Sequence, residues 1–499
     1  MAVAIASYLK KDSIFSQLSI PSPSPGNCML FNSLAFAIFL PVVLILYYLL
    51  PHRAQNRMLL AASIFFYASW DWRFLMPLLF STIIDFYCAS RMEALILAGR
   101  PVADRRPYLW LSTVTNLGLL GFFKYFNFFS ENLYQLLTTL GLHPDPFTLQ
   151  VILPVGISFY TFQALSYTID VYRGELHAIS SFWDFLLAVL YFPHLVAGPI
   201  QRATSLLPQV STPRHTTRIQ VIEGIHLMVW GFFKKVFIAD HLSPIVDATF
   251  GKTSAPGGEV WLACLAFTFQ IYCDFSGYTD IARGVAKLMG FEFILNFNLP
   301  YFARNPQEFW SHWHISLSGW LRDYLYISLG GNRNGTAQTY RNLFLTMVIG
   351  GFWHGAAWNF ILWGVYHGAL LVAHRLWIVP WENRLPARHW SVAVQIPIMF
   401  LFTVYGWLLF RATSLDQVIS FTGAMASPGA GWVGLQPLPV FLYTLPLLLV
   451  QCIQYFSRRL FWLSFEWIPV ELRCAAYTAM LYATLFAGGQ PQSFIYFQF

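Results

Sequence analysis

Three clusters of polar side chains interrupt stretches that are otherwise apolar and aromatic. Each holds residue types that can do chemistry. The first runs Cys273-Asp274-Phe275-Ser276-Gly277-Tyr278-Thr279-Asp280 into Arg283. Asp280 and Arg283 are three apart, so on a helix they share a face and can pair. Asp274, Asp280 and Arg283 read as structural ion pairs holding packed segments together.

The second cluster spans Glu308 to Tyr324 and contains His312, His314, Ser316, Ser318, Arg322 and Asp323. At helical spacing, Trp310, Trp313, Leu317, Trp320, Leu321 and Tyr324 fall on one side, with His314, Ser318 and Arg322 flanking them. His312 and His314 are two apart and point away from each other on a helix. That arrangement argues against a shared metal, and no metal site is expected. The plain alternative for His314 is a satisfied structural histidine.

The third cluster is Gly350-Gly351-Phe352-Trp353-His354-Gly355-Ala356-Ala357-Trp358-Asn359. Here a histidine sits among aromatics with glycines on both sides, where another backbone or a substrate can approach closely. No carboxylate lies within 25 residues of His354 on either side. The neutral imidazole is therefore the expected form, the one that accepts a proton as a general base. The competing reading is a core histidine bonded to a carbonyl. Elsewhere, Gly330 to Gly335 lacks the lysine of a phosphate loop and reads as a turn, and no GxSxG elbow is present. His194, in YFPHLVAGP, reads as lining a pore or capping a bend, and His367 and His374 read as structural or interfacial.

The elements that position these groups belong to a membrane. Of 499 residues only 11% are charged, while 57% are hydrophobic and 18% aromatic. Soluble domains carry about 25% charged residues. Disorder, coiled coil and nucleic-acid binding are excluded on that composition. The net charge of +7 lies in short loops, at Arg53/Arg57, Arg91–Arg106, Arg202–Arg218 and Arg375–Arg388, which by the positive-inside rule face the cytoplasm. The six cysteines are scattered without a CxxC, so no disulfide framework is expected.

Apolar runs near 33–50, 58–80, 109–129, 150–170, 182–200, 221–239, 258–273, 343–378, 392–410, 437–455 and 474–487 give roughly nine to twelve transmembrane or re-entrant helices at about 20 residues per span. The breaks at Pro154-Val155-Gly156 and Gly350-Gly351 suit re-entrant segments buried in protein. The expected class is an all-α polytopic membrane protein. Residues 1–28, with their PSPSPG segment, read as an extension before a natural start at Met29. Residues 29–499 read as one integral membrane domain with its motif core at 270–370.

Several stretches carry a resemblance: YFPHLVAGPI (191–200), DFSGYTDIARG (274–284), NFNLPYFARNPQEFWSHWHISLSGWLRDYLYISLGGNR (296–333) and GGFWHGAAWNFILWGVYHG (350–368). MLFNSLAF at 29–36 and FIYFQF at 494–499 extend it to both ends. Together they resemble the membrane-bound O-acyltransferase (MBOAT) family, in its alginate O-acetyltransferase AlgI-like branch. That branch commonly has an arginine just before its WH pair, whereas this chain has Ser311 and His312.

The resemblance implies a helical shell around a central tunnel joining the two membrane faces. It implies that His354 is catalytic with His314 as companion, and that Trp310, Trp313, Ser318, Trp353, Trp358 and Asn359 line the passage. The reaction expected is transfer of an acetyl group from a cytoplasmic thioester, acetyl-coenzyme A or another, for O-acetylation of an extracytoplasmic polysaccharide of alginate type. In that chemistry His354 takes the hydroxyl proton. His314, Ser318 or a backbone N–H faces the oxyanion, and the surrounding Trp and Phe exclude water. No cofactor is expected to stay bound.

The expected setting is the bacterial inner membrane, multi-pass in lipid. Expected partners are an SGNH-type acetyltransferase outside and the polysaccharide synthesis machinery. D-alanyl transfer to teichoic acid, or O-acetylation of peptidoglycan or cellulose, keeps the same chemistry with other cargo. An ion or solute transporter is the distant alternative, against which stands the missing internal repeat.

Overall fold

The structure is a computed structural model. It describes residues 29–142, 144, 149, 151–195, 198–382, 390–427, 436–461 and 468–495. The expected extension 1–28 lies outside the described residues, as do Arg384 and Arg388 of the last basic loop and residues 496–499 of the terminus. Every regular element among the described residues is helical. The chain is an all-α polytopic membrane protein.

Four helical segments are long and apolar enough to cross a bilayer: His52–Leu97, Gly257–Leu288, Val392–Arg411 and Pro437–Ser457, with the shorter apolar Leu34–Leu49 beside them. Three of the four are well under half buried in the protein over their most apolar stretch, which leaves large side chains such as Phe65, Leu401 and Leu442 facing outward. Outward apolar surface is stable only in lipid. The exception is Gly257–Leu288, buried over 83% of that stretch. At 32 residues it is about 48 Å long at the helical rise, and it forms the central post. Helix Arg218–Phe232 packs along it with backbones in near contact: a Cβ at Gly231 would sit 2.6 Å from the Gly277 carbonyl oxygen.

Other expected spans are broken. The run 109–129 holds a wide π-helical turn at Gly121–Tyr125, and 221–239 holds another at Phe233–Ala239. The run 343–378 is two helices, Thr336–His354 and Trp358–Ala373, joined by an extended turn. Its break falls at Gly355, whereas Gly350 and Gly351 continue the helix.

The central post is pinned by buried charges. Lys235 Nζ lies 2.8 Å from both Asp240 and Asp274, and the other Asp274 oxygen accepts the Ile495 N–H at 2.7 Å. Asp280 lies 3.5 Å from Arg283 and 2.7 Å from Lys234. Pairing to a second element therefore dominates over the i,i+3 contact. The two adjacent lysines are what the sequence reading passed over, although two charges inside WGFFKKVFIAD call for partners.

Candidate active site

The segment that carries His314 folds against the single helix its spacing predicts. Asn305 caps the helix Pro306–His312, accepting from the Glu308 N–H at 2.9 Å. The helix then stops. Trp313 is extended and His314 has φ 43°, one of three non-glycine residues with positive φ among the described residues. A second helix runs Ile315–Trp320 and passes into a wide turn at Leu321–Tyr326.

The predicted continuous stripe from Glu308 to Tyr324 is thus cut at His314, and helical spacing across that point does not hold. The cause is tertiary. The extended stretch around Asn296 bonds both sides of the break. Asn298 N–H donates to the His312 carbonyl at 2.9 Å, and Ile315 N–H donates to the Asn296 carbonyl at 2.9 Å. The Asn296 side-chain oxygen accepts from the Ser316 N–H at 3.2 Å and its hydroxyl at 2.9 Å. A left-handed residue costs about 1–2 kcal/mol, which these bonds offset.

The same Asn296 oxygen lies 3.1 Å from His314 Nδ1. An amide oxygen only accepts, so Nδ1 carries the hydrogen and Nε2 holds the lone pair. The ring is fully buried, with Phe275 edge-on at 4.7 Å and Trp353 at 6.4 Å between ring centres.

His354 is the last residue of helix Thr336–His354. The return helix Trp358–Ala373 packs so closely that a Cβ at Gly351 would meet the Phe360 carbonyl oxygen at 2.3 Å, and one at Gly364 the Met347 carbonyl oxygen at 2.5 Å. This pinch places the His354 ring among Trp353, Trp363 and Phe410, at 5.1, 5.1 and 5.4 Å. His354 and His314 therefore pack on the same Trp353 indole.

His354 lines a cavity of about 790 Å³. Trp310, Trp363 and Ser318 lie along it, and Arg202, Arg322 and Arg375 line it as well. The Arg322 side chain is two-thirds exposed and that of Arg202 one-third, which marks the open end. Asp323 pairs with both Arg202 and Arg322. This carboxylate sits at the surface end of its segment. Burial alone would raise its pKa, but the two guanidiniums outweigh burial and hold it below the usual carboxylate value.

The remaining predicted residues lie off this cavity. Trp313 is buried against Trp407 at 4.7 Å. Trp353 stacks on Phe162 at 5.1 Å. Trp358 is half exposed and donates to Asn132 at 3.0 Å, and Asn359 donates to the Phe410 carbonyl at 3.3 Å. Asp274, Asp280 and Arg283 belong to the post described above. His194 is buried with Nε2 3.0 Å from the Gln163 side-chain oxygen, and His367 is buried beside Trp310 and Trp363. His374 lines the cavity near Arg375. Among the described residues, no three His, Cys, Asp or Glu gather as a metal site would need.

Sequence reasoning missed Asn296, Lys124 and the joint lining role of Arg202 and Arg375. Asn296 carries no signal of its own, since its role comes from a chain reversal. Lys124 did carry one: it is a lone charge inside LGLLGFFKYFNFF. Its Nζ lies 3.0 Å from the His354 carbonyl oxygen.

Comparison with known proteins bears on the family of the chain. The pattern of the MBOAT, membrane-bound O-acyltransferase family matches residues 173–415. The chain is 45% identical over 403 residues to the probable alginate O-acetylase AlgI of Azotobacter vinelandii, covering 80% of this chain and 79% of that protein. It is 35% identical over 432 residues to a peptidoglycan O-acetyltransferase of Helicobacter pylori, covering 80% of each. A teichoic acid D-alanyltransferase of Bacillus subtilis is 28% identical over 270 residues, 51% of this chain and 68% of that protein. With a helical membrane shell, a histidine at the wall of its cavity and relatives of this likeness, the chain belongs to the membrane-bound O-acyltransferase family and is an O-acyltransferase.

Proposed function

We propose that the protein moves an acetyl group from a cytoplasmic thioester through the bilayer for O-acetylation of an extracytoplasmic polysaccharide. One observation carries this reading: His354 lines a cavity whose exposed end is arginine-rich. A thioester donor of the coenzyme A type is long, narrow and anionic at one end. Arg202, Arg322 and Arg375 suit the anionic end, and the basic loops that hold Arg202 and Arg375 belong on the cytoplasmic side of a bacterial inner membrane.

His354 is the general base. Its imidazole takes the hydroxyl proton as the oxygen attacks the thioester carbonyl. The carbonyl oxygen becomes negative in the tetrahedral intermediate, facing Ser318 or a backbone N–H, since the one ring hydrogen of His314 goes to Asn296. The C–S bond then breaks, the acetyl ester remains on the acceptor oxygen, and the thiolate leaves with the proton that His354 held. His314, fixed by Asn296, lies off the cavity and packs beside the same Trp353 indole as His354. The Trp and Phe around both rings keep water from hydrolysing the thioester.

Residues 29–499 act as one membrane unit with its core at 270–370. The acceptor hydroxyl belongs either to the polymer or to an extracytoplasmic SGNH-type transferase that relays the group. Alginate-type polymer is the favoured final acceptor, because the relatives named for alginate are more alike than that named for peptidoglycan.

The test is mass spectrometry of surface polymers from cells lacking the gene and complemented with the wild type or His354→Ala. Acetyl esters should vanish in the deletion and return only with the wild type. Loss of D-alanyl esters with acetyl esters intact would overturn the cargo.

A further inference from the structure

We propose that Lys124 and Tyr125 are positioning residues for His354, gripping the end of its helix through three successive backbone carbonyls. The inference rests on the reading of His354 as the base. Tyr125 Oη donates to the Phe352 carbonyl at 3.0 Å. Lys124 Nζ donates to the Trp353 carbonyl at 2.5 Å and to the His354 carbonyl at 3.0 Å. These belong to the last turn of helix Thr336–His354, whose carbonyls have no partner further along the helix.

An α-helix turns adjacent side chains about 100° apart. Lys124 and Tyr125 nevertheless reach one target, and they do so from the π-helical turn Gly121–Tyr125, a local widening that re-aims side chains. Tyr125 also stacks on Phe352 with ring centres 4.3 Å apart, which locks the register of the two segments.

The donor count of the ammonium decides its role. It has three N–H groups. Two go to the carbonyls and the third to Ser158 Oγ at 3.2 Å, at the start of helix Ile157–Arg173. No donor is left for a substrate oxygen, so Lys124 holds the base in place and does not touch the reacting atoms.

Water is the ordinary partner for helix-end carbonyls, but water beside a thioester would hydrolyse it. A side-chain ammonium supplies the same hydrogen bonds dry. A cation is also favoured at a helix C-terminus, where the carbonyl dipoles point. The insertion cost of a charge in an apolar span is what such an arrangement has to outweigh.

The test uses the full-length protein in proteoliposomes with radiolabelled acetyl-coenzyme A. It measures kcat and KM together with the thermal midpoint in detergent, for Lys124→Met, Lys124→Arg, Tyr125→Phe and His354→Ala. A base displaced by about 1 Å loses rate by up to about a hundredfold. Lys124→Met should therefore lose kcat by about ten- to a hundredfold with the donor KM within about twofold. Tyr125→Phe should lose kcat by a smaller factor. Lys124→Arg, which keeps a cationic donor, should recover most of the loss.

Wild-type kcat in Lys124→Met with His354→Ala inactive would overturn this inference alone. So would a lowered midpoint without any change in kcat. Equal losses in Lys124→Arg and Lys124→Met would overturn it too, and if Lys124→Met fails to insert, Lys124→Arg and Tyr125→Phe decide the matter. Full activity in His354→Ala would overturn the underlying reading as well.

Discussion

The side-chain oxygen of Asn296 lies 3.1 Å from Nδ1 of His314 and also accepts from both the backbone and the hydroxyl of Ser316. One amide group thus holds the left-handed turn and sets which nitrogen of the buried imidazole carries the hydrogen. Asn296→Ala removes that acceptor from three donors at once. An unsatisfied buried group costs about 1–3 kcal/mol, so the thermal midpoint should fall. Acetyl transfer should drop nearly as far as in His314→Ala. Asn296→Asp keeps the accepting oxygen and should retain more activity than Asn296→Ala; the reverse order in a vesicle assay would count against the assigned tautomer.

Gly351 and Gly364 set how closely the two helices around His354 approach. Because added carbons would meet backbone oxygens at 2.3 and 2.5 Å, neither Gly351→Ala nor Gly364→Ala can be absorbed by a side-chain shift. Overpacking of this kind costs about 1–3 kcal/mol. Both variants should melt earlier in detergent and lose activity through a displaced His354. Gly423→Ala, where nothing lies within 4 Å of the added carbon, should match the wild type in both measurements.

Arg375 lines the cavity together with Arg202 and Arg322. Arg375→Ala should raise the KM for an anionic thioester by about tenfold with little change in kcat, the loss of one charge-assisted hydrogen bond. Added salt should shrink the difference between variant and wild type. The Asp323 carboxyl, held low by Arg322 and Arg202 against the effect of burial, contributes its pairing fully above its unfolded value near pH 4 and loses it only as pH falls below that. The donor KM should therefore be flat with respect to this pair between about pH 6 and 8. A rise within that window would point to another group.

Asp274 and Asp280 should differ in their effects. Asp274 closes a nearly fully buried pair with Lys235, whose side chain is 1% exposed, and it also anchors the Ile495 N–H. Asp274→Ala leaves Lys235 with one carboxylate fewer in an apolar setting, a loss of about 3–5 kcal/mol. Asp280 is 16% exposed beside Lys234 and Arg283. Asp280→Ala should lower the midpoint by a smaller amount, measured by thermal unfolding of the detergent-solubilised proteins.

Composition alone made the all-α membrane class legible, since lipid-facing apolar surface dominates the residue count. The motifs around His314 and His354 stood out because polar groups in apolar runs need a partner or a task. Periodicity misled where long-range hydrogen bonds overrode local preference: Asn296 reached across and broke the helix at His314. The break expected in the run 343–378 at Gly350-Gly351 falls instead at Gly355, which ends the helix and turns the chain, because hydropathy does not tell one glycine from another. The arginines of the cavity come from positions 202, 322 and 375, a juxtaposition no local pattern encodes.

The most direct measurement is the initial rate of acetyl transfer by purified His354→Ala in proteoliposomes, alongside the wild type at equal insertion. A general base contributes about 10²- to 10⁴-fold, so the variant should fall at least a hundredfold in kcat while its thermal midpoint stays close to that of the wild type. A variant that inserts normally and keeps the wild-type rate would contradict the assignment of this histidine as the base.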